Sequence, residues 1–81
     1  MKELKSYIAE DGTEWEIYTR EQGFWRHYYM AKVERYGFPS GVPKNIKFAF
    51  SISKEHDYNG KKNKVIQHSI ENFAERNRYT D

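Results

Sequence analysis

Residues 8–15 read Ile8-Ala9-Glu10-Asp11-Gly12-Thr13-Glu14-Trp15, and the way this stretch bends decides the fold. Asp-Gly suits the two positive-φ positions of a type I′ hairpin loop. A two-residue loop at Asp11-Gly12 pairs Glu10 with Thr13, Ile8 with Trp15, Ser6 with Ile17 and Leu4 with Thr19. One face of the hairpin then collects Leu4, Ile8, Trp15 and Ile17. The other collects Tyr7, Glu14, Glu16, Tyr18 and Arg20. All the aliphatic residues fall on one side, which supports this register, because a slip of one residue turns every side chain over.

Working outward, Thr19–Phe24 reads as a polar connection containing Gly23. Trp25–Glu34 alternates, with Trp25, His27, Tyr29, Ala31 and Val33 on one face and Arg26, Tyr28, Met30, Lys32 and Glu34 on the other. The first set is the expected core side. Two Pro and two Gly within Tyr36–Pro43 predict an ordered loop. Beyond it, Ile46, Phe48, Phe50 and Ile52 alternate with Lys47, Ala49, Ser51 and Ser53, the pattern of a half-buried strand.

The last third admits two readings. Ile66, Ile70, Phe73 and Asn77 form a helical stripe, with Val65 and Ala74 beside it and Arg76 and Arg78 suited to a helix C-terminus. The alternative makes Asn59-Gly60 a further hairpin turn, which sets Asp57 opposite Lys62 and Glu55 opposite Lys64 and leaves Ser69 to cap a shorter helix. The longer helix is preferred, because the hairpin register mixes the faces of its apolar residues. The expected fold is α+β: one domain over residues 1–81, a four-stranded antiparallel meander (five-stranded under the alternative) with one C-terminal helix on one face. The helix is expected to cover Leu4, Ile8, Trp15, Ile17, Tyr29, Val33, Phe48 and Phe50.

Composition narrows the function. With 81 residues there is room for one small core. The absence of Cys removes disulfides, thiolate zinc sites and Cys nucleophiles, and an unstapled small domain is expected in the cytoplasm. Met1–Lys5 lacks the apolar run of a signal peptide. A mean hydropathy of −1.08 and 32% charged residues would suit a disordered chain, but 14 aromatics would not, so an aromatic-rich core is expected. The net charge of +2 is uneven: residues 1–21 hold six acids against three bases, and residues 22–81 hold eleven bases against six acids.

No catalytic motif emerges. His27, His56 and His68 have no metal-ligand spacing, and His27 is expected to be a hydrogen-bonded core residue. No Ser lies in a Gly-x-Ser-x-Gly context, and His56-Asp57 would point to opposite faces of a strand. No cofactor, metal or enzymatic activity is expected. The candidate binding surface is the sheet face left uncovered, carrying Tyr18, Arg20, Arg26, Tyr28, Met30 and Lys32. Tyr, Met and Arg are enriched at protein interfaces. Truncating Tyr28 or Met30 on such a face is expected to change stability by no more than about 1 kcal/mol. A second candidate is a basic nucleic-acid-binding edge formed by Lys44, Lys47, Lys54, Lys61, Lys62, Lys64, Arg76 and Arg78.

From Trp25 to about Arg76, three strands followed by a helix resemble in topology the arm-DNA-binding domains of phage integrases, which implies DNA binding. The chain departs from that pattern by its acidic N-terminal hairpin, and no attached catalytic domain is expected. It is equally similar in style to compact phage or mobile-element accessory proteins, including inhibitors of host defence. A protein partner, or a second copy of the chain, is favoured over nucleic acid, because +2 is a small charge and the acidic hairpin repels phosphate.

Overall fold

The computed structural model describes residues 2–33, 45–55 and 64–78, with side chains from residue 5 onward. The strands are β1 (Lys2–Ile8), β2 (Glu14–Gln22), β3 (Trp25–Lys32) and β4 (Lys47–Ser53), and they are followed by the helix α1 (Lys64–Arg76). The sheet is antiparallel in the order β1-β2-β3-β4. This is the expected α+β meander with a C-terminal helix. The Asn59-Gly60 hairpin, the Tyr36–Pro43 loop and His56-Asp57 lie outside the described residues.

The first turn has one residue more than the Asp-Gly signal suggests. The Gly12 amide donates to the Ala9 carbonyl at 2.9 Å, and the Ala9 amide donates to the Thr13 carbonyl at 2.9 Å. The loop is therefore Glu10-Asp11-Gly12, with Gly12 at φ +86°. A three-residue hairpin loop uses one left-handed glycine after a type I turn, whereas type I′ would also require positive φ at Asp11. The Asp11 carboxylate accepts the Thr13 amide at 3.0 Å, an Asx turn that satisfies the bend locally. The register follows from the extra residue. Tyr7 lies opposite Trp15, Lys5 opposite Ile17 and Ile8 opposite Glu14. Ile8 is thus turned away from Trp15, and Tyr7 takes the inner position expected of Ile8.

The second turn is shorter than expected. β2 continues through Gln22, and Gly23-Phe24 alone connects it to β3. Gly23 has φ +60° and Phe24 has no positive φ, the II′ pattern with glycine first. A two-residue loop sets odd positions against even ones. Trp15, Ile17 and Thr19 therefore face Lys32, Met30 and Tyr28. Between β3 and β4 the register shifts once more: Tyr28 pairs with Phe50 but Tyr29 pairs with Phe48, leaving Ala49 as the bulged residue. The bulge sends Phe48 to one face while Ala49, Phe50 and Ile52 pack on the other.

The core forms between this sheet face and α1. Trp15, Ile17, Tyr28 and Met30 meet Ile66, Ile70 and Ala74, with Tyr7, Phe50, Ile52 and Phe73 at the margin. Trp15 meets the edge of Phe73 at 5.9 Å between ring centres, and Tyr28 stacks on Phe50 at 4.7 Å. The helix stripe is the one read from the sequence. Ser69 is not its cap: its hydroxyl donates back to the Val65 carbonyl at 2.8 Å from inside the helix. At the other end, Asn77 donates from its backbone and its side chain to the Phe73 carbonyl, closing the last turn.

Candidate functional site: the helix-free sheet face

Tyr28 and Met30 do not lie on an open face. They are 2% and 0% exposed, beneath the helix. The face that no described element covers carries the set expected inside. Across the strands it runs in rows: Ile8 and Glu14, next to Val33; then Ser6, Glu16 and Ala31; then Tyr18, Tyr29 and Phe48; then Arg20, His27 and Ser51; and last Gln22, Trp25 and Ser53. Of the large apolar side chains exposed among the described residues, Ile8 (67%), Trp25 (52%), Val33 (37%) and Phe48 (54%) belong to this face. Of the residues expected under the helix, Trp15, Ile17 and Phe50 are there, and Ile8, Tyr29, Val33 and Phe48 are not.

The centre of the face is aromatic. Phe48 meets Tyr29 edge-on at 5.6 Å and His27 at 6.0 Å. Tyr18 is buried among its neighbours, and its hydroxyl donates to the Glu16 carboxylate. Arg20 is exposed and takes part in no ion pair among the described residues. His27 is half-buried on this face rather than in the core, and its Nδ1 is hydrogen-bonded to the Ser51 hydroxyl on the neighbouring strand. A Ser-His pair invites comparison with nucleophilic sites, but the residue opposite His27 on β2 is Arg20, a cation where a triad has a carboxylate.

The other expected surface residues lie elsewhere. Arg26 and Lys32 project from the helix side of β3. Lys32 holds its ammonium 5.5 Å from the centre of the Trp15 ring and donates to the Arg78 carbonyl at 3.5 Å. Arg26 pairs with Glu21, and Lys54 reaches the same carboxylate at 3.3 Å, so this acid ties together β2, β3 and the turn after β4. The expected uncovered set is thus divided between two faces, and only Tyr18 and Arg20 remain on the open one.

The Glu21 clamp sets a pH dependence. Its carboxyl is held below the usual glutamate range, first by the hydrogen bond from Arg26, then by Lys54 and the charges of both. A carboxylate whose pKa is lowered by folding stabilises the fold above its unfolded pKa, and the contribution is lost as the pH falls through the folded value. Glu21→Gln is therefore expected to be less stable than the parent near neutrality, with the gap closing as acid titrates the parent. Urea unfolding in steps from about pH 6 to about pH 3 checks this. A gap that stays constant would show that the charge contributes nothing.

Among the described residues, the members of the basic edge do not gather into one patch. Lys54 serves Glu21, and Arg78 bridges Asp11 at 3.5 Å and Glu75 at 3.4 Å. Lys64 and Arg76 stand at opposite ends of α1, about 18 Å apart. Lys47 opens β4, opposite Met30, and Lys44, Lys61 and Lys62 lie outside the described residues. Between β1 and α1 runs an acidic groove of about 400 Å³, lined by Tyr7, Glu10, His68, Glu71, Asn72 and Glu75. Burial, and then Glu71 and the neighbouring acids, raise the Tyr7 phenol above its usual range. No described group of three His, Asp or Glu is placed to hold a metal ion, and no described helix is long and apolar enough to cross a membrane.

The chain matches no protein-family model, and no curated protein or solved structure is significantly similar to it.

Proposed function

We propose that this chain is a non-enzymatic interaction module that docks a protein partner on the helix-free face of its sheet. Trp25, Tyr29 and Phe48 are the apolar anchors, and Arg20 supplies a charged contact. One observation carries this reading: four of the exposed large apolar residues gather on a single face around an aromatic row. Contiguous apolar patches rimmed by polar groups mark interaction surfaces, whereas singly scattered ones do not. A protein suits the face better than a phosphate backbone, because Glu14 and Glu16 share it with Arg20. On the basic edge, Lys54 and Arg78 are already engaged by acids.

The test places a photo-reactive amino acid at position 48 or, as a control, at position 65 in cells producing the protein. Val65 is similarly exposed but sits on the helix. Protein adducts are expected from position 48 and not from position 65. No adduct from position 48 would overturn the proposal.

A further inference from the structure

Resting on the reading of the helix-free face as a protein-docking surface, we infer that the row Arg20, His27 and Ser51 receives one carboxylate, an Asp or Glu side chain that the partner presents between apolar ones. The three residues are cross-strand neighbours: Arg20 pairs with His27, and His27 pairs with Ser51. Strands stand about 4.8 Å apart, so an anion over the imidazole lies within reach of the guanidinium on one side and the hydroxyl on the other. Arg20 is exposed and in no ion pair among the described residues, so its guanidinium donors are open to a ligand. The His27 Nδ1 is hydrogen-bonded to the exposed Ser51 hydroxyl. Nε2 is a donor when Nδ1 accepts that hydroxyl, and both nitrogens donate when the ring is protonated.

Among the described residues no acid shares this row, and none stands in the next one, Gln22, Trp25 and Ser53. Glu21 projects to the helix side, where Arg26 and Lys54 hold it. On the open face Glu3 stands one row away, opposite Tyr18, and Glu16 stands two rows away, where its carboxylate accepts the Tyr18 hydroxyl. Glu55 lies in the turn beyond Ser53. The row therefore presents a cation, an imidazole and a hydroxyl with the acceptor left to the partner.

The amount of charge selects the ligand. One guanidinium and one imidazole balance a carboxylate, whereas a phosphorylated side chain brings a charge of about −1.5 to −2 and is held by clusters of Arg. The apolar neighbours select its flanks. Tyr29 and Phe48 lie in the row on one side, Trp25 in the row on the other, and successive rows of one face are about 7 Å apart. A partner whose acid sits over His27 lays its neighbouring side chains on these rings. Once seated, they exclude water from the ion pair, and a charge-assisted hydrogen bond strengthens as its surroundings dry.

Titration of the full chain with 3-phenylpropionate, a carboxylate beside an aromatic ring, is followed by NMR at millimolar concentrations, with 3-phenylpropionamide as the uncharged match and phenyl phosphate as the dianion. Saturable shifts centred on Arg20, His27 and Ser51 are expected from the acid. Binding is expected to be at least about tenfold weaker for the amide, and for the acid with Arg20→Gln. Arg20 is exposed, so the variant keeps its fold, and an unchanged amide spectrum away from the row checks this. Equal binding of acid and amide overturns the inference, as does binding of the acid outside this row, an absence of binding, or tighter binding of phenyl phosphate than of the acid. In cells, Arg20→Gln is expected to cut the protein adducts from position 48 at least about fivefold. Undiminished adducts overturn the carboxylate contact and leave the docking face standing. An absence of adducts in the parent removes the docking face itself.

Discussion

Ile70→Asp is expected to unfold the whole domain, rather than merely to release its helix. Ile70 is 1% exposed and meets the sheet at the centre of the core. An ionised carboxylate there has no partner in a cluster of Trp15, Ile17, Tyr28 and Met30. Burying it would cost several kcal/mol, and the alternative is to lift α1 off the sheet. Lifting the helix exposes the entire inner face, because among the described residues no other element covers it. A domain of 81 residues has roughly 4–12 kcal/mol to lose, and baring Trp15, Ile17, Tyr28 and Met30 to water undoes the burial that supplies it. The expected result is loss of strand and helix signals together by circular dichroism, with red-shifted tryptophan emission. Val65→Asp, on the exposed side of the same helix, is expected to stay within about 0.5 kcal/mol of the parent. If Ile70→Asp lost helicity alone and kept a cooperatively folding sheet, the core described above would be wrong.

The elements of this fold are legible in the sequence, and the faces are not. Each strand announces itself by alternation, and the stripe Ile66, Ile70 and Phe73 marks the helix. Which side of a strand meets the helix depends on turn length, and both hairpin turns differ by small amounts from the reading of their residues. Asp11-Gly12 is a two-residue signal, but it sits within a three-residue loop because only Gly12 takes positive φ. Gly23-Phe24 is a two-residue turn hidden in what reads as a longer polar connection, because β2 continues through the hydrophilic Arg20, Glu21 and Gln22. Composition could not correct these slips. β3 is apolar or aromatic on both sides, with Tyr28 and Met30 against Trp25, Tyr29 and Val33, so either set suits a core. Tyr18 and Arg20 are on the open face as expected, since they alternate along β2 with Trp15 and Ile17, which face the helix. A hint lay in Arg26 and Lys32, whose long stems can rim a core while their charged ends stay wet. The Ala49 bulge has no signature in the alternation of Ile46, Phe48, Phe50 and Ile52, so Phe48 looks internal until the strand is paired.

Met30→Ala and Phe48→Ala should therefore separate widely in stability, in the sense opposite to the one the alternation of β3 suggests. Met30 is among the largest fully buried side chains and lies opposite Ile17 in the sheet. Removing three heavy atoms there leaves a cavity under the helix, and core truncations of this kind cost about 2–5 kcal/mol. Against a total of roughly 4–12 kcal/mol, the variant is expected to be partly unfolded in water or to melt well below the parent. Phe48 is 54% exposed and packs by its edge on Tyr29 and His27. Its truncation gives up one face of an aromatic contact and creates no cavity, so about 1 kcal/mol is expected. Urea unfolding of the two variants measures both losses on one scale, and the slope with denaturant checks that each unfolds the same surface. Equal losses would mean that both faces of the sheet are covered. A larger loss at Phe48 would restore the register in which Trp25, Tyr29 and Val33 face the helix, and with it would remove the docking face.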